Sequence, residues 1–262
     1  METESSTIAE ERSSNRTLSK GLLLLSLFDM EHPDWSLREL REQSGLPKTT
    51  TIRLVKTLES HGYLTCDAVT GRYHLGPSIL RAAYVSFSHS ELVRVAHPFM
   101  EALTKETAET TGLTVWTDLG PLLVDVVFTP RMFKPHLWLG MTLPGLGSAA
   151  ARVLLAFNDE ARLEKALSAG EVARTPFTLT DRDLLRDELM KVRRDGVSFE
   201  LREWDLSMGA VAAPVLGGDG LSRASLAVVV PIERCGDAEM RAYTEAVSRV
   251  AGAISRELGS IE

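Results

Sequence analysis

The chain is short of the residues on which redox, metal and membrane proteins are built. Its 262 residues include two cysteines, Cys66 and Cys235, far apart and outside any metal-ligand spacing. Two unpaired structural thiols in a cytoplasmic protein are expected, not a disulfide framework. The six histidines, His32, His61, His74, His89, His97 and His136, form no H-x-x-x-H pair and no Cys-His cluster, so no metal site is expected. The leucine run at 22–25 belongs to a segment much too short to cross a bilayer. The opening METESSTIAEERSSNR lacks the apolar stretch of a secretory signal. There is no G-x-S-x-G elbow, no P-loop and no G-x-G-x-x-G after a strand. The Gly-rich GLGSAAAR at 145–152 precedes a helix and offers an anion cradle, which alone is weak evidence for a nucleotide. Glu200 and Glu203 would fall on opposite faces of one strand, leaving no acid–base pair. Neither enzyme activity nor a cofactor is expected.

Positive charge is the other scarcity. Lys and Arg number 29 against 36 Asp and Glu, a net charge of −7, so any nucleic-acid contact must come from a local basic surface. Residues 46–58, LPKTTTIRLVKTL, supply one: they carry Lys48, Arg53 and Lys56 and no acid. On a helical period Ile52, Val55 and Leu58 form an inner stripe widened by Leu54. Thr49, Arg53, Lys56 and Ser60 fall opposite, with Thr50 and Thr57 beside them. Hydroxyls and cations on one helical face are the groups that contact phosphates and base edges in a major groove.

The surroundings of this helix have a recognisable order. Residues 1–15 are polar and read as a disordered tail. A helix over about 17–30 turns Leu18, Leu22, Leu25 and Phe28 inward, and 32–35 reads as a loop. Ser36-x-x-Glu39 is a capping box opening a helix that ends near Ser44-Gly45. Pro47 opens the basic helix, which stops at His61-Gly62. Residues 63–66 and 72–75 read as two strands joined by a turn at 67–71. Three helices and a hairpin make a winged helix-turn-helix, with Arg72 near the wing tip placed to touch phosphate or a minor groove. A helix over 76–90, with Ile79, Leu80, Ala83 and Phe87 on one side, reads as a linker able to pair with a second copy.

From Glu91 the pattern changes to helix, then strands near 113–118, 122–128 and 136–139. Helices at 148–157, 159–169 and 181–195 follow, then strands near 197–201, 210–216 and 224–230, and a last helix over 238–258. This is an α+β domain with a mostly antiparallel sheet.

These segments resemble the IclR-type bacterial transcription regulators over nearly the whole chain after the tail. GLPKTTTIRLVKTLESHGYL and TGRYHLGPSIL are similar to that family's recognition helix, wing and start of linker helix. VAHPFMEALTKETAETTGLTV, LPGLGSAAARVLLAF, TPFTLTDRDLLRDELMKVRRDGVSFE and AVAAPVL follow in the family's order. The resemblance implies a winged helix-turn-helix domain at 16–75 that binds operator DNA as a dimer or tetramer. It also implies a linker helix at 76–90 and, at 91–262, an effector-binding and oligomerisation domain with a curved, GAF-like sheet. The expected activity is that of a ligand-responsive repressor of a catabolic operon, with Lys48, Thr49, Thr50, Arg53, Lys56 and Arg72 on DNA.

The effector region departs from the family pattern. Where members that bind small oxo-acids carry a His, a Cys and two serines, this chain has Leu146, Ala210, Ala227 and Val229. The family's Gly-Ala-Gly-Lys is Ala149-Ala150-Ala151-Arg152 here, and Glu200 matches an often acidic, pocket-lining position. With Leu143 and Met208 these residues make a methyl-rich pocket in which a small acid would lose much of its hydrogen bonding. The expected effector is therefore apolar or aromatic. Trp116 and Trp138 would supply flat walls, or else pack in the core. The alternative to a regulator is a small-molecule-binding or catalytic domain with an N-terminal protein-interaction module. Such a module would expose apolar anchors and not an acid-free polar face.

Overall fold

The computed structural model describes residues 16–118, 120–132 and 134–259, with the backbone only at 87 and 88. The expected tail at 1–15 and the inward placement of Phe87 lie outside the described residues. The chain divides into two compact units between His89 and Ser90.

In the N-terminal unit, α1 (Arg16–Leu25) precedes a two-residue strand, β1 (Asp34–Trp35). Next, α2 (Leu37–Ser44) begins in the expected capping box: Ser36 Oγ accepts from Glu39 N at 3.2 Å, and Glu39 Oε2 accepts from Ser36 N at 2.7 Å. It ends at Gly45, whose φ of +65° turns the chain sharply towards Pro47 and α3 (Lys48–Ser60). The hairpin strands are β2 (Leu64–Cys66) and β3 (Tyr73–Leu75), and α4 (Pro77–Ser88) closes the unit. Leu24, Leu40, Leu54, Val55 and Leu64 form its buried core.

Three expectations need correcting in this unit. The inward stripe of α1 is Gly21, Leu24 and Leu25, whereas Leu18 and Leu22 are exposed. On α3 the inward residues are Thr51, Leu54, Val55 and Leu58; Ile52 is half-buried and faces a groove beside Leu37 and Arg41. A helix turns about 100° per residue, so Ile52 lies at the flank of the stripe whose centre Leu58 and Thr51 mark. Residues 34–35, expected as loop, pair antiparallel with β3 and make the wing three-stranded, in the order β1-β3-β2.

The C-terminal unit opens with α5 (Glu91–Thr107), capped by Ser90, and β4 (Thr110–Thr117), β5 (Gly120–Val127) follow. After α6 (Ala149–Ala156), α7 (Glu160–Ala169) and α8 (Arg182–Asp195) come β6 (Ser198–Leu201), β7 (Met208–Leu216), β8 (Ser222–Pro231) and α9 (Asp237–Gly259). The strands form one antiparallel sheet in the order β5-β4-β8-β7-β6. Alternation along β8 sorts the two faces. Ala224, Leu226, Val228 and Val230 meet α5 and α9 through residues such as Met100, Val247 and Ile254. Ala227 turns the other way, towards α6 and α8. Residues 136–139, expected as a strand, have no ladder partner among the described residues; nearby, Leu122 and Thr142 form an isolated bridge. The fully buried Glu109 fixes the α5–β4 junction, accepting from Arg131 Nη1 at 2.7 Å and from Arg234 Nε and Nη2 at 2.6 and 2.8 Å.

Among the described residues, no helix is long and apolar enough to cross a membrane. Cys66 and Cys235 are both free, and burial pushes the Cys235 thiol up to about 11, which keeps it protonated and unreactive.

Candidate functional site

The outward face of α3 is built by the burial of its opposite side. With Thr51, Leu54 and Val55 held in the core, Thr49, Arg53, Lys56, Thr57 and Ser60 are exposed together, with Lys48 exposed at the first turn and Thr50 half-buried beside it. Among the described residues, Lys48, Arg53 and Lys56 make no ion pair. The cations of the neighbouring helix differ: Arg38 and Arg41 both reach Glu42, at 2.9 and 3.5 Å. The threonine and serine at the far end of α3 are already committed, Thr57 Oγ1 donating to Arg53 O at 2.9 Å and Ser60 Oγ to Thr57 O at 2.8 Å. The uncommitted groups therefore run from Lys48 to Lys56, and at the first turn the helix dipole also favours an anion.

Arg72 stands differently from its expected role at the wing tip. Its Nε donates to Asp34 Oδ1, and its Nη2 reaches Asp34 O at 3.1 Å and Glu39 Oε2 at 3.0 Å. It ties β3 to β1 and to the first turn of α2, so its charge is neutralised within the unit. The wing turn is organised by Asp67, whose Oδ1 accepts from Val69 N at 2.9 Å and Thr70 N at 2.7 Å. These bonds hold the Asp67 carboxyl below its ordinary range.

In the C-terminal unit a cavity of about 30 Å³ lies between α6 and the sheet. That is room for a water or two, against several hundred Å³ for a typical small-molecule pocket. Strand register puts Glu200 beside Ala210 and Ala210 beside Val229; the next row is Ala212, Ala227 and Gly112. Rows of alanine and glycine under a helix that opens with three alanines allow close packing, which is why the space is small. The lining includes Leu143, Ala149, Ala150, Glu200, Met208, Ala210, Ala227 and Val229, all singled out from the sequence.

Trp116 and Trp138 are not part of it. Trp116 faces an open cleft with Arg162 and Lys165, and Trp138 is half-buried and meets the His136 ring in a T-shaped contact, 5.2 Å between centroids. The aromatic wall is instead Trp204, four residues beyond Glu200 and past the end of β6. Thr114, on β4, is another lining residue that sequence reasoning missed. Strand alternation from Gly112 is the signal that would have found Thr114; nothing local marks Trp204.

The polar groups of the cavity are few. Glu200 is 3% exposed; its Oε1 accepts from Glu203 N at 2.7 Å and Trp204 N at 2.9 Å. Burial pushes this carboxyl up to about 7, outweighing the two amide donors that favour the anion. Thr114 lines the cavity as a buried residue, and its hydroxyl has no hydrogen-bond partner among the described residues, nor do the backbone N–H groups of Ala149 and Ala150 in the first turn of α6. Arg152, 2% exposed, donates from Nε to Leu146 O at 2.6 Å and grips both Glu203 oxygens at 2.8 and 2.6 Å. In GLGSAAAR, the Gly147 N–H already donates to Glu171 Oε2 at 2.8 Å, so the expected anion cradle holds a carboxylate of the chain itself.

Both parts of the chain match known families. The IclR helix-turn-helix domain matches residues 17–68, and the bacterial transcriptional regulator IclR C-terminal domain matches residues 84–256. The chain is 30% identical to the HTH-type transcriptional regulator Rv1719 of Mycobacterium tuberculosis, over 84% of this chain and 83% of that protein. It is 26% identical to the transcriptional repressor IclR of Escherichia coli, with 94% and 91% covered. A crystal structure of an IclR transcriptional regulator from Silicibacter sp. TM1040 is similar to it with a TM-score of 0.82 at 26% identity, covering 93% of this chain and 96% of that one. The unpaired basic face of α3 thus lies on the recognition helix of a helix-turn-helix, and the chain belongs to the IclR family of DNA-binding bacterial transcription regulators.

Proposed function

We propose that α3 reads operator DNA through Thr49, Thr50, Arg53 and Lys56, with Lys48 on a flanking phosphate, and that a small apolar or aromatic effector in the cavity of the C-terminal unit sets operator affinity. The observation that carries the DNA reading is the contrast in pairing among the described residues: α3 leaves Lys48, Arg53 and Lys56 without carboxylates, whereas Arg38, Arg41 and Arg72 are ion-paired within the unit. Arg72 then serves the wing's shape. The methyl-rich lining and the aromatic wall of Trp204 support an apolar or aromatic effector over a small, strongly hydrated acid. Two copies act together in this reading. α4 buries none of its described side chains and exposes Leu80, Tyr84 and Val85, a face that a second copy would cover. A dimer presents two recognition helices to two half-sites. The sense of regulation we assign is repression, as in the E. coli relative's name, in the cytoplasm.

A gel shift on the DNA upstream of the gene's own operon tests the assignment. Arg53→Ala, with its fold verified by circular dichroism, weakens operator binding by about 1–3 kcal/mol if it reads a base edge. Unchanged binding by this variant overturns the reading face.

A further inference from the structure

The lining of the cavity is buried throughout except at Trp204, Met208 and Ala210, which are half-buried. These three mark the side on which the cavity meets solvent, and only the first two have side chains long enough to close it. At about 30 Å³ the space admits no aromatic ring until one of them moves. The backbone that carries them is anchored from several sides. Glu200 accepts from the N–H groups of Glu203 and Trp204, and Arg152 clamps the Glu203 carboxylate. Thr175 Oγ1 and Thr178 Oγ1 donate to Arg202 O and Glu203 O, each at 2.6 Å, and Ile232 N donates to Ser207 O at 2.8 Å. The indole N–H of Trp204, by contrast, has no acceptor among the described residues. Its ring is held only by packing, in the small apolar cluster of Leu123, Leu137 and Val229. Met208 in the same cluster is unbranched and adapts easily.

Resting on the proposed reading of this cavity as the effector site, we infer that Trp204 is the residue that selects effectors by size, closing the mouth with Met208 and giving way by side-chain rotation while the clamped turn stays in place. The entrant is a planar aromatic carrying a polar group. Behind the displaced indole it meets the Thr114 hydroxyl and the Ala149 and Ala150 N–H groups, which are unpaired among the described residues. The Arg152–Glu203 pair is a positioning device for the gate and does not touch the ligand.

The test is calorimetric titration of the full chain with benzoate and 1-naphthoate, on wild type, Trp204→Ala and Trp204→Phe. Trp204→Ala shifts the ratio of the two affinities by about tenfold or more towards naphthoate, the scale of a changed pocket contact. Trp204→Phe, which keeps a ring at the mouth, holds the ratio within about threefold of wild type. A tryptophan with a purely structural role lowers stability and both affinities together and leaves the ratio unaltered. An unaltered ratio in Trp204→Ala overturns the inference while leaving the cavity as the site. Binding of neither acid to any of the three proteins overturns the effector-site reading, and the inference with it.

Discussion

Glu200 places a titratable carboxyl in an apolar wall, and its proton reports on that wall. Its ordinary value of 4.5 rises to about 7, first because burial disfavours the anion. Below about pH 4.5 the folded and unfolded chains both carry the proton, and the group contributes nothing to the pH dependence. Between 4.5 and 7 the unfolded chain releases it while the folded chain retains it, so stability falls as pH rises through this window and levels off above it. The span corresponds to roughly 3 kcal/mol. Glu200→Gln keeps an oxygen acceptor for the Glu203 and Trp204 amides and removes the ionisable group. Denaturant unfolding at pH 5 and pH 8 checks this: the variant gains stability relative to wild type at pH 8 and much less at pH 5. The resemblance to the family implied a pocket-lining place for Glu200. Its shifted proton equilibrium and its grip on the following turn depend on neighbours brought from β7, α6 and the chain beyond β6.

At the scale of elements, backbone and side-chain hydrogen bonds tie the end of α3 to the start of α4. Gly76 N donates to Tyr63 O at 2.8 Å, Ser78 N to Gly62 O at 3.0 Å, and Ser78 Oγ to His61 O at 2.8 Å. A Cβ at position 76 would run into the Gly62 carbonyl oxygen, a backbone atom that cannot swing away. Gly76→Ala is therefore expected to destabilise the N-terminal unit by about 1–3 kcal/mol. It should also weaken operator binding without removing any proposed DNA contact. Thermal unfolding and a gel shift on the same preparation separate the two effects. The same scale shows where periodicity misleads. In α1 the leucines at 22–25 offer apolar side chains on every side, so the pattern cannot say which side is inward. Packing selects Leu24 and leaves Leu22 and Leu23 exposed. The two-residue β1 carries no local strand signal and exists because β3 pairs with it.

At the scale of the whole molecule, a chain of net charge −7 binds a polyanion only by concentrating positive charge. Two copies whose Lys48, Arg53 and Lys56 each neutralise a phosphate make about six such contacts, and the logarithm of affinity then falls with the logarithm of salt at a slope of about −5. Titrating salt in an operator-binding assay measures it. A slope near −3 would match one recognition helix and sink the proposed paired binding. Ligand control is reciprocal at this scale: an effector that weakens operator binding must itself bind more weakly to the operator complex.

Local rules were enough for much of the chain. The capping box at Ser36 and Glu39, the stops at Gly45 and Gly62, and the acid-free stretch from 46 to 58 follow from interactions within a few residues. The sequence by itself therefore determined the helix-turn-helix, the acid-free polar face of α3 and most helices and strands of the C-terminal unit. Tertiary structure alone decided that Arg72 is spent on Asp34 and Glu39, that Trp116 and Trp138 stay out of the cavity and Trp204 enters it, and that the cavity is nearly closed. Each of these depends on which side chains meet across long sequence separations, and on how closely alanine-rich surfaces pack. Neither is written in the spacing of residues along one element.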